Sequence, residues 1–394
     1  MKASKLFSEF FNSEKSSGIL LIVCTVLSLC LANFLIGQPY LDFWHSKIGF
    51  AVKGIDLHLS IEHWINDGLM TIFFLLIGLE IERELYDGEL SSIKNASLPI
   101  AAAIGGMAIP ALFHFMLNNG TPAQNGFGIP MATDIAFALG ILSLAGKRVP
   151  LSLKIFLTAL AIIDDLGAIL IIAIFYTEGL QTTYLFIALG LFALLLLLNR
   201  LKVYQLRWYL LGGVLMWYCM LQSGVHATIT GVLLAFAIPF MGGKKESISY
   251  RLQHWLHKPV AFLVVPLFAF ANTGIIISGN FREIVLNNNS LGIMAGLVLG
   301  KPIGILLFCL LAIKLKIARL PEGVNWLKLA AAGTLAGIGF TMSIFITLLA
   351  FDSNDMVQYS KIAILISSLV AGIAGFLLLK KSLAVDLADK TIRR

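Results

Sequence analysis

Ala159-Leu160-Ala161-Ile162-Ile163-Asp164-Asp165-Leu166-Gly167-Ala168-Ile169-Leu170 places two adjacent carboxylates in the middle of an otherwise apolar run. No other charge occurs between Ile155 and Thr177. At about 1.5 Å per residue, that segment is long enough to cross a bilayer as a helix. A carboxylate at bilayer depth costs a few kcal/mol or more, and two side by side also repel. Both effects penalise the doubly ionised state, which brings proton exchange within reach near neutral pH. Acids at that depth mark ion or proton paths. The plainer alternative is an ion pair that only fixes helix packing.

The rest of the chain supports a membrane setting. Of its 394 residues, 58% are hydrophobic and 13% charged, with a mean hydropathy of +0.88. Soluble domains carry about 25% charge, so the sequence predicts one all-α polytopic membrane protein over 1–394, with no separate soluble domain. Cys24, Cys30, Cys219 and Cys309 lie in apolar runs without C-x-x-C spacing, which argues against a disulfide framework or a zinc site. The uncharged run from Ser16 to Tyr40 is too long for a signal-peptide core and no A-x-A site follows it, so it is read as a retained first span.

Apolar runs and their breaks predict twelve spans, at about 17–36, 60–85, 96–117, 122–145, 151–176 and 180–199, two short ones within 208–243, then 259–278, 290–313, 327–350 and 358–380. The uncharged run from Trp208 to Gly243 is 36 residues. As one helix it would be about 54 Å long, so it must fold back, and Gln222-Ser223-Gly224 is the natural break. A polar stretch at about 38–59 holds Phe50-Ala51-Val52 and Ile55-Asp56-Leu57-His58-Leu59 around Lys53-Gly54, the pattern of a small β-hairpin outside the membrane. A basic loop is expected at about 241–258.

Charge sidedness sets the orientation. With the N-terminus inside, only Lys47, Lys53, Arg282 and Lys361 of the 29 lysines and arginines fall in outside loops, and Lys301 falls within a span. The other 24 lie inside, which predicts cytoplasmic N- and C-termini. It also accounts for the net charge of +7 as membrane orientation and not as a nucleic-acid surface.

Four charges remain at depth: Asp134, Asp164, Asp165 and Lys301. A buried ammonium needs a carboxylate beside it, so Lys301 is expected to pair with an aspartate. Asp164 is the favoured partner, although spacing does not decide between the two neighbours. Gly126, Gly128 and Pro130 interrupt the fourth span, and Gly337-Ile338-Gly339, followed by Thr341 and Ser343, interrupts the eleventh. Paired interruptions point to a transporter site at two discontinuous helices. Asp134 would then offset helix N-termini and Lys301 helix C-termini. Gly292, Gly296, Gly300 and Gly304 recur every four residues, the small-residue stripe of a close helix contact. Gly296 to Lys301 is one residue short of a phosphate-binding loop, and Pro302 stands where a Ser or Thr is needed. Glu80, Glu82, Glu84, His254 and His257 form either a solvated rim or a pH-responsive cluster.

Thr133-Asp134-Ile135-Ala136-Phe137-Ala138-Leu139-Gly140, the Ala159–Ile169 run, Gly224-Val225-His226-Ala227-Thr228, Pro266-Leu267-Phe268-Ala269-Phe270-Ala271-Asn272 and Gly300-Lys301-Pro302 together resemble the NhaA sodium/proton antiporters of bacterial inner membranes. That family is itself a reference case for inverted repeats and broken helices. The resemblance implies twelve helices, with spans four and eleven unwound and crossing, and inverted repeats at about 96–176 and 290–380. It implies that Asp164 and Asp165 hold the transported sodium with Thr133 nearby, and that Asp134 and Lys301 compensate charge at the crossing. Glu80, Glu84, His254 and His257 match the family's cytoplasmic pH-response region, with Gln253 where a glutamate is expected. Asp67 and His226 also match its pattern, and the polar segment after span one resembles a dimer-forming hairpin.

The expected activity is therefore electrogenic, pH-regulated export of sodium, and lithium, against incoming protons. It needs no cofactor and no nucleic acid, and it is expected of a homodimer in the lipid of the inner membrane. Rival readings are an intramembrane aspartyl protease, which would want Gly-x-Gly-Asp where Asp134 follows Ala132-Thr133, a sodium-coupled organic-anion carrier, and a structural scaffold.

Overall fold

Apolar runs with few breakers become helices here, and the breakers decide where those helices end. The computed structural model describes residues 14–49, 51–52, 55–146, 148–177, 179–243, 247–277 and 281–392. Among the described residues, eight helices are long and apolar enough to cross a membrane, or ten if each of two bent helix pairs counts as one span. The chain divides into two compact units. Unit one comprises Met1–Ile19, Glu89–Ala168 and Ser278–Arg394, and unit two comprises Leu20–Gly88 and Ile169–Ile277.

Unit one uses the same order of elements twice. The helix Ile93–Asn118 is followed by the bent pair Pro122–Met131 and Ile135–Leu144, then by the helix Leu151–Phe175, whose last turns belong to unit two. The helix Asn288–Lys314 is followed by the bent pair Trp326–Ala336 and Phe340–Ala350, then by Asn354–Ile392. The bends are 43° and 44°.

The second break falls on Gly337–Gly339, as the glycines predict. The first does not fall on Gly126, Gly128 and Pro130. Those residues lie inside a 3-10 helix, Pro122–Met131, and the chain opens at Ala132-Thr133-Asp134 instead. A 3-10 turn tolerates proline and glycine where an α-helix would not, and Asp134 restarts the chain as the N-cap of Ile135–Leu144 by accepting from the Phe137 amide at 3.0 Å.

The glycine stripe packs as its spacing requires. A Cβ on Gly304 would strike the Gly105 carbonyl, one on Gly300 would meet Pro110, and one on Gly296 would meet Pro130. The helices Ile93–Asn118 and Asn288–Lys314 therefore approach backbone to backbone.

In unit two, Gly224 takes φ 80° and ends the helix Leu206–Ser223 at the expected break, and Ile229–Ala237 follows. Gly231 of that short helix lies against the Thr71 carbonyl of the helix Met70–Asp87. Two short antiparallel ladders precede them, pairing Lys47 with Ser60, Ile48 with Leu59, Ala51 with Asp56 and Val52 with Ile55. Phe50 and the Lys53-Gly54 turn of the expected hairpin lie outside the described residues. Part of the polar stretch is helical, because Pro39 opens a helix over Gln38–His45.

The basic loop expected at 241–258 is corrected more substantially. Ser247 accepts from the Tyr250 amide at 3.1 Å and caps a helix that starts at Ile248 and continues to Asn272. Ser249, Leu252, Gln253 and Leu256 form its buried face. The charged side chains lie opposite, so an amphipathic helix reads as a loop when only the charges are counted.

The packing predicts that Gly304→Leu lowers thermal stability in detergent by about 1–3 kcal/mol. Gly190→Leu, at a position with open space around it, serves as the reference. Equal melting temperatures for the two variants would contradict the close contact.

Candidate ion site

The two breaks of unit one are bonded to one another. The Asp134 amide donates to the Ile338 carbonyl at 2.7 Å, and Ser343 Oγ donates to the Ile129 carbonyl at 2.7 Å. Asp134 Oδ2 accepts from both the hydroxyl and the amide of Thr341, at 2.6 and 3.1 Å. With its Oδ1 on the Phe137 amide, one carboxylate thus satisfies the first turns of two half-helices. This is where a negative charge is most favoured, since each helix N-terminus carries roughly half a positive charge.

The opposite ends carry exposed carbonyls and collect donors. Lys301 Nζ donates to the Met131 carbonyl, at the end of the first half-helix, and lies 2.7 Å from Asp164 Oδ2. Thr133 Oγ1 lies 2.8 Å from the same Asp164 oxygen and 2.9 Å from the Ala336 carbonyl, which ends the other first half-helix. Asp165 acts on the Lys301 ammonium at longer range. Thr133, Asp164, Asp165 and Lys301 are fully buried, and Asp134 is buried to within 2%.

The chemistry open to this cluster follows from its charge and its donors. Three carboxylates and one ammonium sum to two negative charges, and the paired helix N- and C-termini roughly cancel. Carboxylate, hydroxyl and carbonyl oxygens meet at Asp164, the donor set preferred by hard cations. Asp164 Oδ1 has no hydrogen-bonding partner among the described residues, so it can accept a proton or a cation. The Thr133 hydroxyl carries one hydrogen and serves either Asp164 or Ala336 at a time.

The residues grouped as pH-responsive lie in unit two. Glu80, Arg83, Tyr250, Gln253, His254 and His257 line one cavity of about 160 Å3. Glu80 Oε1 is 3.8 Å from His257 Nδ1, Glu84 pairs with Arg83 at 3.2 Å, and His254 stacks on Tyr250. Glu82 differs from its neighbours in being buried, and its Oε2 accepts from Ser249 Oγ at 3.3 Å. His226 Nε2 lies 2.8 Å from the Tyr176 carbonyl, a contact between the segments that follow the helices Leu151–Phe175 and Leu206–Ser223. Asp67 pairs with His63 at 2.7 Å.

Sequence reasoning gave Thr341 and Ser343 no role beyond following the glycines. Their positions, nine and seven residues before the end of a broken span, carried no further signal. The Met131 and Ala336 carbonyls were not legible at all, because every residue has one and only the breaks expose these two.

Removing Lys301 would leave Asp164 buried without its counter-charge and the Met131 carbonyl without its donor. Lys301→Ala is expected to cost about 3–5 kcal/mol of stability, with Lys301→Arg recovering part of it. Thermal unfolding of both variants in one detergent checks this, and an unchanged Lys301→Ala melting temperature would refute the pairing.

The Na+/H+ antiporter 1 family model matches residues 8–379. The chain is 62% identical over 380 residues to the Na(+)/H(+) antiporter NhaA of Flavobacterium psychrophilum, covering 96% of this chain and 97% of that one. It is 56% identical over 390 residues to the NhaA antiporter of Cytophaga hutchinsonii, with 99% of each chain covered. The NhaA antiporter of Dechloromonas aromatica is 59% identical over 380 residues, with 95% and 96% covered. These relatives are named as antiporters, carriers and not enzymes. A site of buried aspartates at two bonded helix breaks, in a chain matched end to end by such relatives, places this protein in the Na+/H+ antiporter 1 family.

Proposed function

We propose that this protein exchanges sodium, and lithium, for protons across the bacterial inner membrane. The cation and the protons compete for Asp164 and Asp165. The observation that carries this reading is the position of Asp164: one of its oxygens is held by Lys301 and Thr133, and the other has no hydrogen-bonding partner among the described residues. A metal ion arriving there displaces the ammonium or a proton. A proton arriving there removes the charge that holds the metal.

Thr133 follows the exchange. With Asp164 ionised, the threonine hydrogen serves that carboxylate, and the Ala336 carbonyl is left to contribute to a cation. With Asp164 protonated on its unpartnered oxygen, the charge that held the threonine hydrogen at Oδ2 is gone, and that hydrogen turns to the Ala336 carbonyl. The same three atoms therefore alternate between a cation-binding and a proton-holding arrangement. Two protons neutralise the net charge of the cluster, whereas one sodium neutralises half of it. A two-for-one exchange moves net charge on each cycle, so the membrane potential, worth about 2.3 kcal/mol per charge per 100 mV, drives export. The protons belong to Asp164, Asp165 and Lys301 jointly.

Alternating access would come from the paired half-helices. The twice-repeated order of long helix, bent pair and long helix supports inverted repeats over about 96–176 and 290–380. The shorter helices Leu206–Ser223 and Ile229–Ala237, added to ten candidate spans, support a twelve-span reading with both termini cytoplasmic. The ladders after the first span would pair with a second copy in a homodimer. The cavity holding Glu80, Gln253, His254 and His257 would tune activity to pH, with Arg83–Glu84 at its edge.

A sodium pulse to proteoliposomes holding a pH dye is expected to move protons, and a potassium pulse is not. Asp165→Asn is expected to reduce the sodium response to the level of empty liposomes. Normal exchange by that variant would end the assignment of the site.

Gln253→Glu adds a carboxylate to the histidine-lined cavity and is expected to move the pH at which exchange switches on. An activation profile superimposable on that of the parent chain would remove this position from pH control.

A further inference from the structure

One cavity in unit one has no part in ion exchange as described above. It measures about 740 Å3 and is built from three elements: the start of the helix Ile93–Asn118, the start of Leu151–Phe175, and the connection 315–325. Three cations line it, Lys94, Lys316 and Arg319, together with the carboxylates Glu89 and Glu322. The lining therefore carries one net positive charge. The remainder is largely apolar and includes Leu98, Ile155, Phe156 and Ala159.

Two further features define what fits. Apolar side chains of the lining or next to it in the chain face outward: Ile317 is 61% exposed, Ile93, beside Lys94, 89%, and Leu151, beside Ser152, 71%. Exposed aliphatic residues beside a cationic pocket belong at the boundary between hydrocarbon and headgroups. All three cations are also among the inside charges of the positive-inside count, which puts the cavity at the cytoplasmic leaflet under the orientation proposed above. Basic pockets between transmembrane helices on that side suit anionic lipid headgroups.

We infer that this cavity binds the headgroup of an anionic phospholipid carrying a single phosphodiester charge. The match is one of charge and of shape. A phosphodiester carries one negative charge, equal and opposite to the lining, whereas free phosphate carries about −1.5 to −2 near pH 7. Arg319 offers a planar fork to two phosphate oxygens, and Lys94 and Lys316 add point charges. The acyl chains leave past Ile93, Leu151 and Ile317 into the bilayer. The seat includes Ala159, five residues before Asp164 on the same helix, so a bound lipid rests on the element that carries the ion site.

The test uses the full chain in a neutral detergent and does not depend on transport, so it stands apart from the ion-exchange assignment. Retention of phosphatidylglycerol, phosphatidylcholine and inorganic phosphate is measured by native mass spectrometry and by the rise in melting temperature each one produces. Phosphatidylglycerol is expected to bind and stabilise, with phosphatidylcholine and inorganic phosphate well behind. The double variant Lys94→Gln/Arg319→Gln removes two exposed cations and is expected to weaken phosphatidylglycerol retention about tenfold or more. Its melting temperature in phosphatidylcholine should stay unchanged. Lys380→Gln/Lys381→Gln, which removes the same charge elsewhere in unit one, is expected to keep the lipid.

Equal losses in the two double variants would show a generic charge effect and overturn the site. Inorganic phosphate binding as well as the lipid would overturn the lipid assignment. If the first double variant fails to fold, Lys316→Gln alone is read by the same criterion: undiminished phosphatidylglycerol retention overturns the site.

Discussion

Lys301 and Asp164 form an ion pair from which both partners have been taken out of water, and the arrangement of unit one can be read as what makes that pair tolerable. Two charges at that depth cost several kcal/mol each, and their attraction offsets this only when the remaining donors and acceptors are satisfied. Here the ammonium also serves the Met131 carbonyl, and the carboxylate also receives Thr133. Both of those partners exist only because two helices are broken. An intact helix would have consumed the Met131 carbonyl four residues on and placed Thr133 on a continuous face.

The breaks are in turn stabilised by the second buried charge. Asp134 occupies the first turns of two half-helices at once, through Phe137 and Thr341. Ends of the same sign face one another across the breaks, and each like-signed pair has a counter-charge at hand: a carboxylate for the N-termini and an ammonium for the C-termini. The ion pair, the breaks and the capping aspartate therefore depend on each other. This interdependence gives a physical reason for the opened backbone at 132–134 and 337–339, where buried carbonyls and amides would otherwise go unsatisfied.

Much of this was legible from residue types. Asp164 and Asp165 announce themselves because nothing else in 23 residues of Ile155–Thr177 is charged. Lys301 follows, because it is the one cation that falls far from the ends of a predicted span. The glycine stripe of Gly292 to Gly304 gave the contact between two long helices, and Gly224 marked a turn. Where composition and geometry part company, the reading slipped. Gly126, Gly128 and Pro130 were accommodated by a 3-10 helix, which moved the break to Ala132–Asp134. The charges of 248–258 concealed an amphipathic helix whose buried face includes Gln253.

By itself the sequence determined what is chemically present at depth: three acids, one base, a hydroxyl, and one interruption, at Gly337–Gly339, that falls where its glycines stand. Its family motifs gave the class of carrier. Only the tertiary structure decided which oxygen meets which donor. Spacing along one helix separates Asp164 and Asp165 by about 100° of rotation, but it says nothing about where Lys301 arrives from another helix. The choice of Asp164, the sharing of Thr133 between Asp164 and Ala336, and the recruitment of Met131 all depend on helices far apart in the chain approaching within hydrogen-bond distance. Such approaches are set by packing of small residues and by helix ends, and no local pattern encodes them.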